Sequence, residues 1–420
     1  MSSLAELTRC FGRIGLLSFG GPAAQISLMH REIVETRKWV SEEDFLGALS
    51  FCMLLPGPEA MQLATWIGWR KHGALGGLIA GGLFLLPGAV IMLALAVIYS
   101  VWGHLPLVFG AFAGVQAAVL AVVIEALLRL RNRALKTSAQ QACAALAFAA
   151  LAIFALPFPV VILTAAVWGF ASTPKGQTQV PQSKPWAQTL RAVLIWGTIW
   201  LLPLAILQVA APPILAEIAL FFSKLSLLTF GGAYAVLAWM AQEVVAQKQW
   251  LSLAQMIDGL GLAETTPGPL ILVTEFVGFM AAAKYGVLMG VAGAVTALWM
   301  TFAPCFLWIF AGGPWTLFLT QTPRLSGALR AISAAVVGVI ASLSLWFAAH
   351  VLFAQHHLWR LGPLQLSLPE VSSLRVLPTV LAMFAAYVLL RRHWPLPWVL
   401  ALCAAASAAH AVFLAAPPSL

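Results

Sequence analysis

Charge is scarce in this sequence. Only 9% of its 420 residues are Asp, Glu, Lys or Arg, against about 25% in an average soluble domain, which excludes an ordinary water-solvated fold. Cysteine is sparse too: Cys10, Cys52, Cys143, Cys305 and Cys403 form no CxxC pair. Each sits in or beside an apolar stretch and reads as a small core residue, not as a disulfide partner or metal ligand. There is no HExxH, P-loop or GxSxG motif, hence no sign of hydrolysis or nucleotide-driven pumping. His356-His357 falls short of a metal-ligand set. No metal, cofactor or enzymatic activity is therefore expected. The first residues carry no basic n-region with a short apolar segment and cleavage site behind it, so no removable signal peptide is expected.

What is abundant is apolar sequence. AVILMFWYC residues make up 61% of the chain and the mean hydropathy is +0.93. Apolar runs long enough to cross about 30 Å of hydrocarbon, which takes roughly 20 residues, recur from end to end. The expected fold is all-α, a polytopic membrane protein whose first partner is the lipid bilayer. The 23 basic against 14 acidic residues give a net charge of +9. In a membrane protein that excess marks cytoplasmic loops, so no nucleic-acid partner is expected.

The chain repeats itself at an offset of 211 residues. Leu4-Ala5-Glu6 recurs as Leu215-Ala216-Glu217, Phe19-Gly20-Gly21 as Phe230-Gly231-Gly232, Glu32 as Glu243, Trp39 as Trp250, and Pro56-Gly57-Pro58 as Pro267-Gly268-Pro269. Apolar bias alone would not place Gly, Pro, Glu and Trp in register, so the halves are duplicated. Further on, at an offset of 217, Gly110 aligns with Gly327 and Ala117-Ala118-Val119 with Ala334-Ala335-Val336. The expected domains are a first transmembrane repeat at 1–171, a polar linker at 172–189, an extra linking helix at 190–212 and a second repeat at 213–420.

One added crossing makes the second half enter the membrane from the other side. Charge supports that inversion: Arg129, Arg131, Arg133 and Lys136 form a strongly basic loop, expected in the cytoplasm, while its counterpart loop 346–353 has no Lys or Arg. The last hairpins show the reverse, with uncharged 156–159 in the first half and Arg391-Arg392 in the second. Inverted repeats with a cytoplasmic N-terminus and a periplasmic C-terminus are predicted, which requires an odd number of crossings.

Both motifs predict broken or re-entrant helices. At Phe19-Gly20-Gly21-Pro22 a helix can end, glycine supplies irregular backbone and proline can open a new helix. At Pro56-Gly57-Pro58 the first proline stops one segment and the second suits the start of the next. With Phe230-Gly231-Gly232 and Pro267-Gly268-Pro269, each repeat holds two breaks. Inside a bilayer such breaks need protein or water around their freed N–H and C=O groups, and so should face inward. Helix N-termini there present N–H donors and partial positive charge, which suits a small oxyanion. The bland alternative is that Gly and Pro only kink helices or fill tight contacts.

Arg13 and Lys224 stand at the same offset, six residues before each Phe-Gly-Gly. A cation within a span costs about 2.5–3.5 kcal/mol or more, so each needs a partner or a ligand. Arg13 could pair with Glu6 and Lys224 with Glu217, or both could offset the charge of a passing dianion. Glu59 follows Pro58 and is read either as a dipole-stabilised carboxylate or as a coupling or gating group. Glu264 and Glu275 flank the second Pro-Gly-Pro and are candidates for the same coupling role. Glu32 and Glu243, beside Trp39 and Trp250, read as parts of interfacial loops. The GxxxG spacings at Gly73, Gly77 and Gly81, echoed by Gly286 and Gly290, read as packing seams.

Taken in order and duplicated, Arg13–Pro22 (RIGLLSFGGP), Leu54–Ala60 (LLPGPEA), Lys224–Gly232 (KLSLLTFGG) and Thr265–Pro269 (TTPGP) resemble the chromate ion transporter family in its long, two-domain form. The resemblance implies chromate export across the bacterial inner membrane, conferring resistance, with sulfate as a chemically similar second substrate. It also implies a drive by membrane potential or proton coupling. A homodimer is a candidate assembly. Strict internal symmetry fails at Ala233, opposite Pro22, and at Leu270, opposite Glu59. The expected mechanism is alternating access around the paired broken helices. In it, backbone at Gly20, Gly21, Gly57, Gly231, Gly232 and Gly268 holds the oxyanion. Ser18, Gln25, Gln62, Thr229, Thr265 and Thr266 donate hydrogen bonds, and Arg13 and Lys224 balance charge. Transport of another oxyanion and a membrane-embedded chromate reductase are the competing functions; dispersed cysteines argue against the second.

Overall fold

The computed structural model describes residues 3–19, 21–103, 105–154, 156–174, 185–230, 233–361 and 364–415. Gly20, Gly231, Gly232 and most of the expected linker lie outside them.

The first half contains α1 (Leu4–Leu17), α2 (Gly21–His30), α3 (Glu42–Cys52), α4 (Glu59–Trp102), α5 (Pro106–Ala134), α6 (Ser138–Ala152) and α7 (Phe158–Ser172). The linking helix α8 runs Trp186–Ala210, starting a few residues before the apolar run read from sequence. The second half contains α9 (Pro213–Leu228), α10 (Ala233–Gln242), α11 (Leu253–Thr265), α12 (Val273–Ala283), α13 (Val287–Gly312), α14 (Thr316–Gln321), α15 (Pro323–Leu352), α16 (Val376–Arg392) and α17 (Leu396–Ala415). A hairpin, β1 (His356–Leu361) with β2 (Leu364–Pro369), joins α15 to α16 and is the one sheet among the described residues. Among those residues, six helices are long and apolar enough to cross a membrane. The protein is thus a predominantly helical, multi-pass membrane protein.

The repeat is visible in backbone detail. After α2 and after α10 the helix widens into a π-helical segment, Arg31–Thr36 and Glu243–Gln247. Each is followed by a left-handed residue, Lys38 (φ 52°) and Gln249 (φ 51°), 211 positions apart. At each turn the cation two residues before the tryptophan sits over its ring, Arg37 over Trp39 at 5.3 Å and Lys248 over Trp250 at 4.8 Å. Such cation–π contacts contribute about 0.5–1 kcal/mol at exposed sites.

Helix α4 is not one rod. His72 and Gly73 leave helical geometry, with Gly73 at φ 62°, and the chain folds back on itself. A Cβ at Gly68 would strike the Gly76 carbonyl, and one at Gly81 the Thr65 hydroxyl. In a straight helix residues 68 and 76 stand about 12 Å apart, so 59–72 and 74–102 form an antiparallel hairpin. The second half repeats this with α12 and α13, which turn at Gly286 (φ 114°) and touch where Gly278 meets the Gly293 carbonyl. Gly77, Gly81 and Gly290 are tight seams, but Gly73 and Gly286 have open space around them and serve the turns instead.

Contacts divide the chain into two compact units. One comprises Met1–Val97, Thr173–Leu251 and Leu262–Gly327; the other Ile98–Ser172, Ser252–Gly261 and Ala328–Leu420. Each unit therefore draws on both halves of the sequence. In the first, α13 packs against α8, α9 and α12. Helix α8 is anchored by Trp200 Nε1 on Ser223 Oγ (3.2 Å) and Thr189 Oγ1 on the Ala311 carbonyl (3.0 Å), and its outer face is apolar and open. In the second, α5 packs against α16 and α17, with Gly114 seated on the Cys403 backbone. An apolar cavity of about 570 Å³ lies between α6 and α7, lined by residues such as Ala147, Phe154, Val161 and Trp168. It offers an anion almost no polar group.

The segments compared for charge, 129–136 and 346–353, are mostly helix rather than loop, since α5 runs to Ala134 and α15 to Leu352. The hairpin and turn after α15 then bring in Arg360 and Arg375, so the charge contrast is confined to the helix ends. His357 lies on β1, where its Nε2 is 3.4 Å from Glu370.

Candidate functional site

Four short helices lead into the motifs. Helix α1 has 14 residues, α3 has 11, α9 has 16 and α11 has 13. At 1.5 Å per residue these are about 16–24 Å long, less than the hydrocarbon thickness of about 30 Å. Their ends are therefore the places where backbone groups need partners.

In Pro-Gly-Pro the glycine owns the sole N–H group, because neither proline has one. Both glycines occupy backbone that other residues rarely adopt, Gly57 at φ 128° and Gly268 at φ 96°. Gly57 donates its N–H to the carbonyl of Thr229 at 2.7 Å, and Gly268 donates to the carbonyl of Ser18 at 2.8 Å. Ser18 and Thr229 are the residues at which α1 and α9 stop, and the last carbonyls of a helix lack intrahelical donors. Each half's broken helix is thus capped by the other half's Pro-Gly-Pro, and the two bonds are related by the 211 offset. Ser18 and Thr229 are fully buried. Losing the Gly57 donor would leave the buried Thr229 carbonyl short of its partner, at a cost of about 1–3 kcal/mol.

Two glutamines brace this crossing from the first half only. Gln25 Nε2 donates to the carbonyls of Gly268 (2.6 Å) and Ser18 (3.2 Å), tying both sides of one bond. Gln62 Nε2 donates to the Pro56 carbonyl at 2.8 Å and lies against Gly57. Both are buried, and the Oε1 of each has no hydrogen-bond partner among the described residues. The corresponding positions in the second half are Val236 and Val273.

Close packing holds the tips in place. Gly88 on α4 meets the Pro267 carbonyl, Gly57 lies against Cys305 of α13, and Gly15 on α1 meets the Leu83 carbonyl. That carbonyl is four residues before Pro87, which cannot donate to it and so frees it. Pro304 on α13 stands 217 residues after Pro87, so each long helix carries a proline at the matching place. Sequence reading passed over Gly15, Gly88, Pro87 and Pro304, although the shared offset of the prolines was available as a signal.

The hydroxyls named from sequence are turned onto their own helices. Ser18 Oγ donates to the Ile14 carbonyl (2.6 Å), Thr229 Oγ1 to Leu225 (2.7 Å), Thr265 Oγ1 to Leu262 (2.8 Å) and Thr266 Oγ1 to Ala263 (3.1 Å). Gly21 opens α2 at φ 78°. Glu59 is half-buried at the first position of α4, Glu264 is buried near the end of α11, and Glu275 is 2% exposed, its Oε2 without a hydrogen-bond partner among the described residues.

Arg13 and Lys224 are placed differently, on exposed faces of α1 and α9. Arg13 lies 3.9 Å from Glu32, not beside Glu6, whose carboxylate instead accepts from the Ser3 N–H in a capping box. Glu217 pairs with Lys248 at 3.5 Å. The second half also holds a carboxylate that sequence reading did not single out: Asp258, buried on α11.

Duplicated halves, short helices ending on each other's Pro-Gly-Pro turns, and apolar spans define a membrane transporter of the internally repeated class. The comparisons narrow this. The profile described as "Chromate transporter" matches residues 5–170 and 216–409, and the chain belongs to that family. A "Probable chromate transport protein" of Synechococcus elongatus is 32% identical over 342 residues, covering 81% of this chain and 83% of that protein. A "Chromate transport protein" of Pseudomonas aeruginosa is 32% identical over 352 residues (82% and 80%), and one of Cupriavidus metallidurans is 28% identical over 347 residues (80% and 81%). No solved structure matches the chain.

Proposed function

We propose that this protein exports chromate across the bacterial inner membrane as a secondary active transporter, by alternating access around the crossing of the two broken helices. The observation that carries the reading is the reciprocal pair of bonds, Gly57 to Thr229 and Gly268 to Ser18. A tetrahedral dianion presents acceptors on all sides. The glycine N–H groups and the hydroxyls of Ser18, Thr229, Thr265 and Thr266, now spent on protein carbonyls, would exchange those carbonyls for anion oxygens. The exchange costs little net hydrogen bonding while it releases the capped helix ends, which couples binding to a change of access.

Helix starts after Pro58 and Pro269 add partial positive charge. Arg13 and Lys224, being exposed, balance the dianion's charge during its approach. Glu59, Glu264 and Glu275 are the carboxyls through which a proton gradient would act. In this reading the two halves are inverted in the membrane, with the N-terminus in the cytoplasm and the C-terminus in the periplasm.

Counterflow in proteoliposomes tests the reading. Vesicles preloaded with unlabelled chromate should accumulate labelled chromate, and preloading with sulfate measures how far the site accepts another tetrahedral dianion. Sulfate counterflow without chromate counterflow would replace chromate with sulfate as the substrate, and neither would reject the reading.

A further inference from the structure

Asp258 is 3% exposed and belongs to α11, the helix that leads into the second Pro-Gly-Pro. Its Oδ2 accepts from the Tyr99 hydroxyl at 2.7 Å, and its Oδ1 accepts from Gln116 Nε2 at 2.8 Å. Tyr99 lies on α4 and Gln116 on α5, both long enough and apolar enough to cross the membrane. Gly261, one turn after Asp258, would place a Cβ against Val115 and Val119 of α5. The missing side chain lets α11 approach α5 closely enough for Asp258 to reach Gln116. The 211 offset puts Gly47 opposite Asp258, so this carboxyl is a feature of the second half alone.

A carboxylate held for structure inside a membrane protein is normally pinned by a cation. No Lys, Arg or His among the described residues is ion-paired with Asp258. The groups facing it are the titratable Tyr99 hydroxyl from α4 and the uncharged Gln116 amide from α5. On its own helix the nearest acidic group is Glu264, six residues on. Hydroxyl and amide share one property: each can donate or accept. With the carboxyl ionised, both donate to it, as observed. Once it takes a proton, its new O–H needs an acceptor, which either the Tyr99 oxygen or a rotated Gln116 carbonyl supplies. The surroundings thus satisfy both protonation states without moving a helix.

We propose that Asp258 is a proton-binding residue of the transport cycle, taking up a proton from water on one side of the membrane and releasing it on the other. The step is a bare proton transfer: the carboxylate gains H⁺ from a hydronium ion and returns it to water, with no other bond made or broken. It rests on the reading of the chain as a chromate transporter, and adds to it a coupling group outside the Pro-Gly-Pro crossing. Ionisable residues buried in membrane proteins commonly mark ion pathways and proton relays.

The experiment uses the full-length protein in proteoliposomes, with potential clamped by potassium and valinomycin. It compares chromate flux driven by an imposed pH gradient with chromate–chromate counterflow, which needs no net proton movement. In the parent protein the gradient should change net flux at least fivefold. In Asp258→Asn, which keeps the shape and can still accept from Tyr99, that response should disappear while counterflow stays within twofold. An intact gradient response in Asp258→Asn overturns the proposal, as does a parent protein whose net flux ignores the gradient. Absent counterflow in the parent rejects the transport reading itself. Should Asp258→Asn fail to insert, Tyr99→Phe decides: it keeps the edge contact with Phe112, whose ring centroid is 4.9 Å away, and removes the hydroxyl. Its pH profile should shift by at least half a unit, and an unshifted profile overturns the proposal.

Discussion

The N–H of Gly268 donates to the carbonyl of Ser18 at 2.8 Å, joining residues 250 positions apart. With its repeat mate, Gly57 to Thr229, it makes each half of the molecule complete the other's interrupted helix. A duplicated transporter whose halves cap one another does not have two independent half-sites, and mutations at one crossing should be felt at both.

Gly57→Ala is expected to be among the most damaging single-methyl changes. Its φ of 128° disfavours any side chain, and the new Cβ would lie 2.6 Å from Gln62 Nε2 and 2.8 Å from Cys305 Sγ. Strain of this kind costs about 1–3 kcal/mol. Gly12→Ala, on α1 with nothing within 4 Å of the added carbon, is the control and should be neutral or stabilising by up to about 1 kcal/mol. Thermal melts in detergent and chromate flux check the pair; equal melting temperatures would remove the structural role given to Gly57.

Replacing Gln25 tests the asymmetry of the brace. Gln25→Leu removes the donor shared by the Gly268 and Ser18 carbonyls while keeping most of the bulk. A loss of about 1–3 kcal/mol is expected from the carbonyls left short of a donor. Val236→Gln in the second half, where no amide now sits, should not restore it. Recovery of stability in the double variant would mean that the crossing tolerates a brace from either side.

These sites show how far the sequence could be read. Gly and Pro carry their backbone consequences with them, so the four breaks and the duplication were legible from residue type and spacing. The partner of each break was not, because nothing in RIGLLSFGGP says that the Ser18 carbonyl will meet a glycine 250 residues away. Side-chain direction was harder still. In water an exposed Leu16 (59%) or Leu17 (51%) would be anomalous and would fix the buried face of α1. In lipid apolar residues face outward as readily as inward, so the rule that would have put Arg13 on the outer side has no force. Asp258 was overlooked because its Tyr99 and Gln116 partners come from distant helices.

Arg13→Ala and Lys224→Ala should each slow chromate export while leaving membrane insertion intact. If these exposed cations act on the approaching dianion, the defect should be about tenfold at low salt and shrink as ionic strength rises, since screening weakens steering in the parent protein as well. Export rates at two salt concentrations measure it. Parent-like rates at low salt in both variants would leave Arg13 as no more than a partner for Glu32.

A reporter fused after Leu420 should be periplasmic and one fused at the N-terminus cytoplasmic. Charge near the loops carries little weight, because Arg360 and Arg375 follow α15 and blunt the contrast with Arg129 and Arg131. The expectation rests on α8, a linking helix of 25 residues, about 38 Å long, which is ample for one crossing. One crossing between two homologous halves inverts the second. Two reporters on the same side would break that inversion.

Glu275 offers the sharpest test of coupling near the crossing, since it is buried one turn into the helices that follow Pro269 and its Oε2 lacks a hydrogen-bond partner among the described residues. Glu275→Gln preserves shape and removes the ability to carry charge. If Glu275 only fills space, the variant should melt within about 1 kcal/mol of the parent and transport with the same pH profile, as small changes away from strained or bonded features usually do. If it gates or couples transport, the melt should be similar but the pH dependence of export should flatten. Comparing it with Asp258→Asn separates the two carboxyls: a Glu275→Gln variant that keeps the gradient response would place coupling at Asp258 alone, whereas loss of the response in both single variants would place both on one relay.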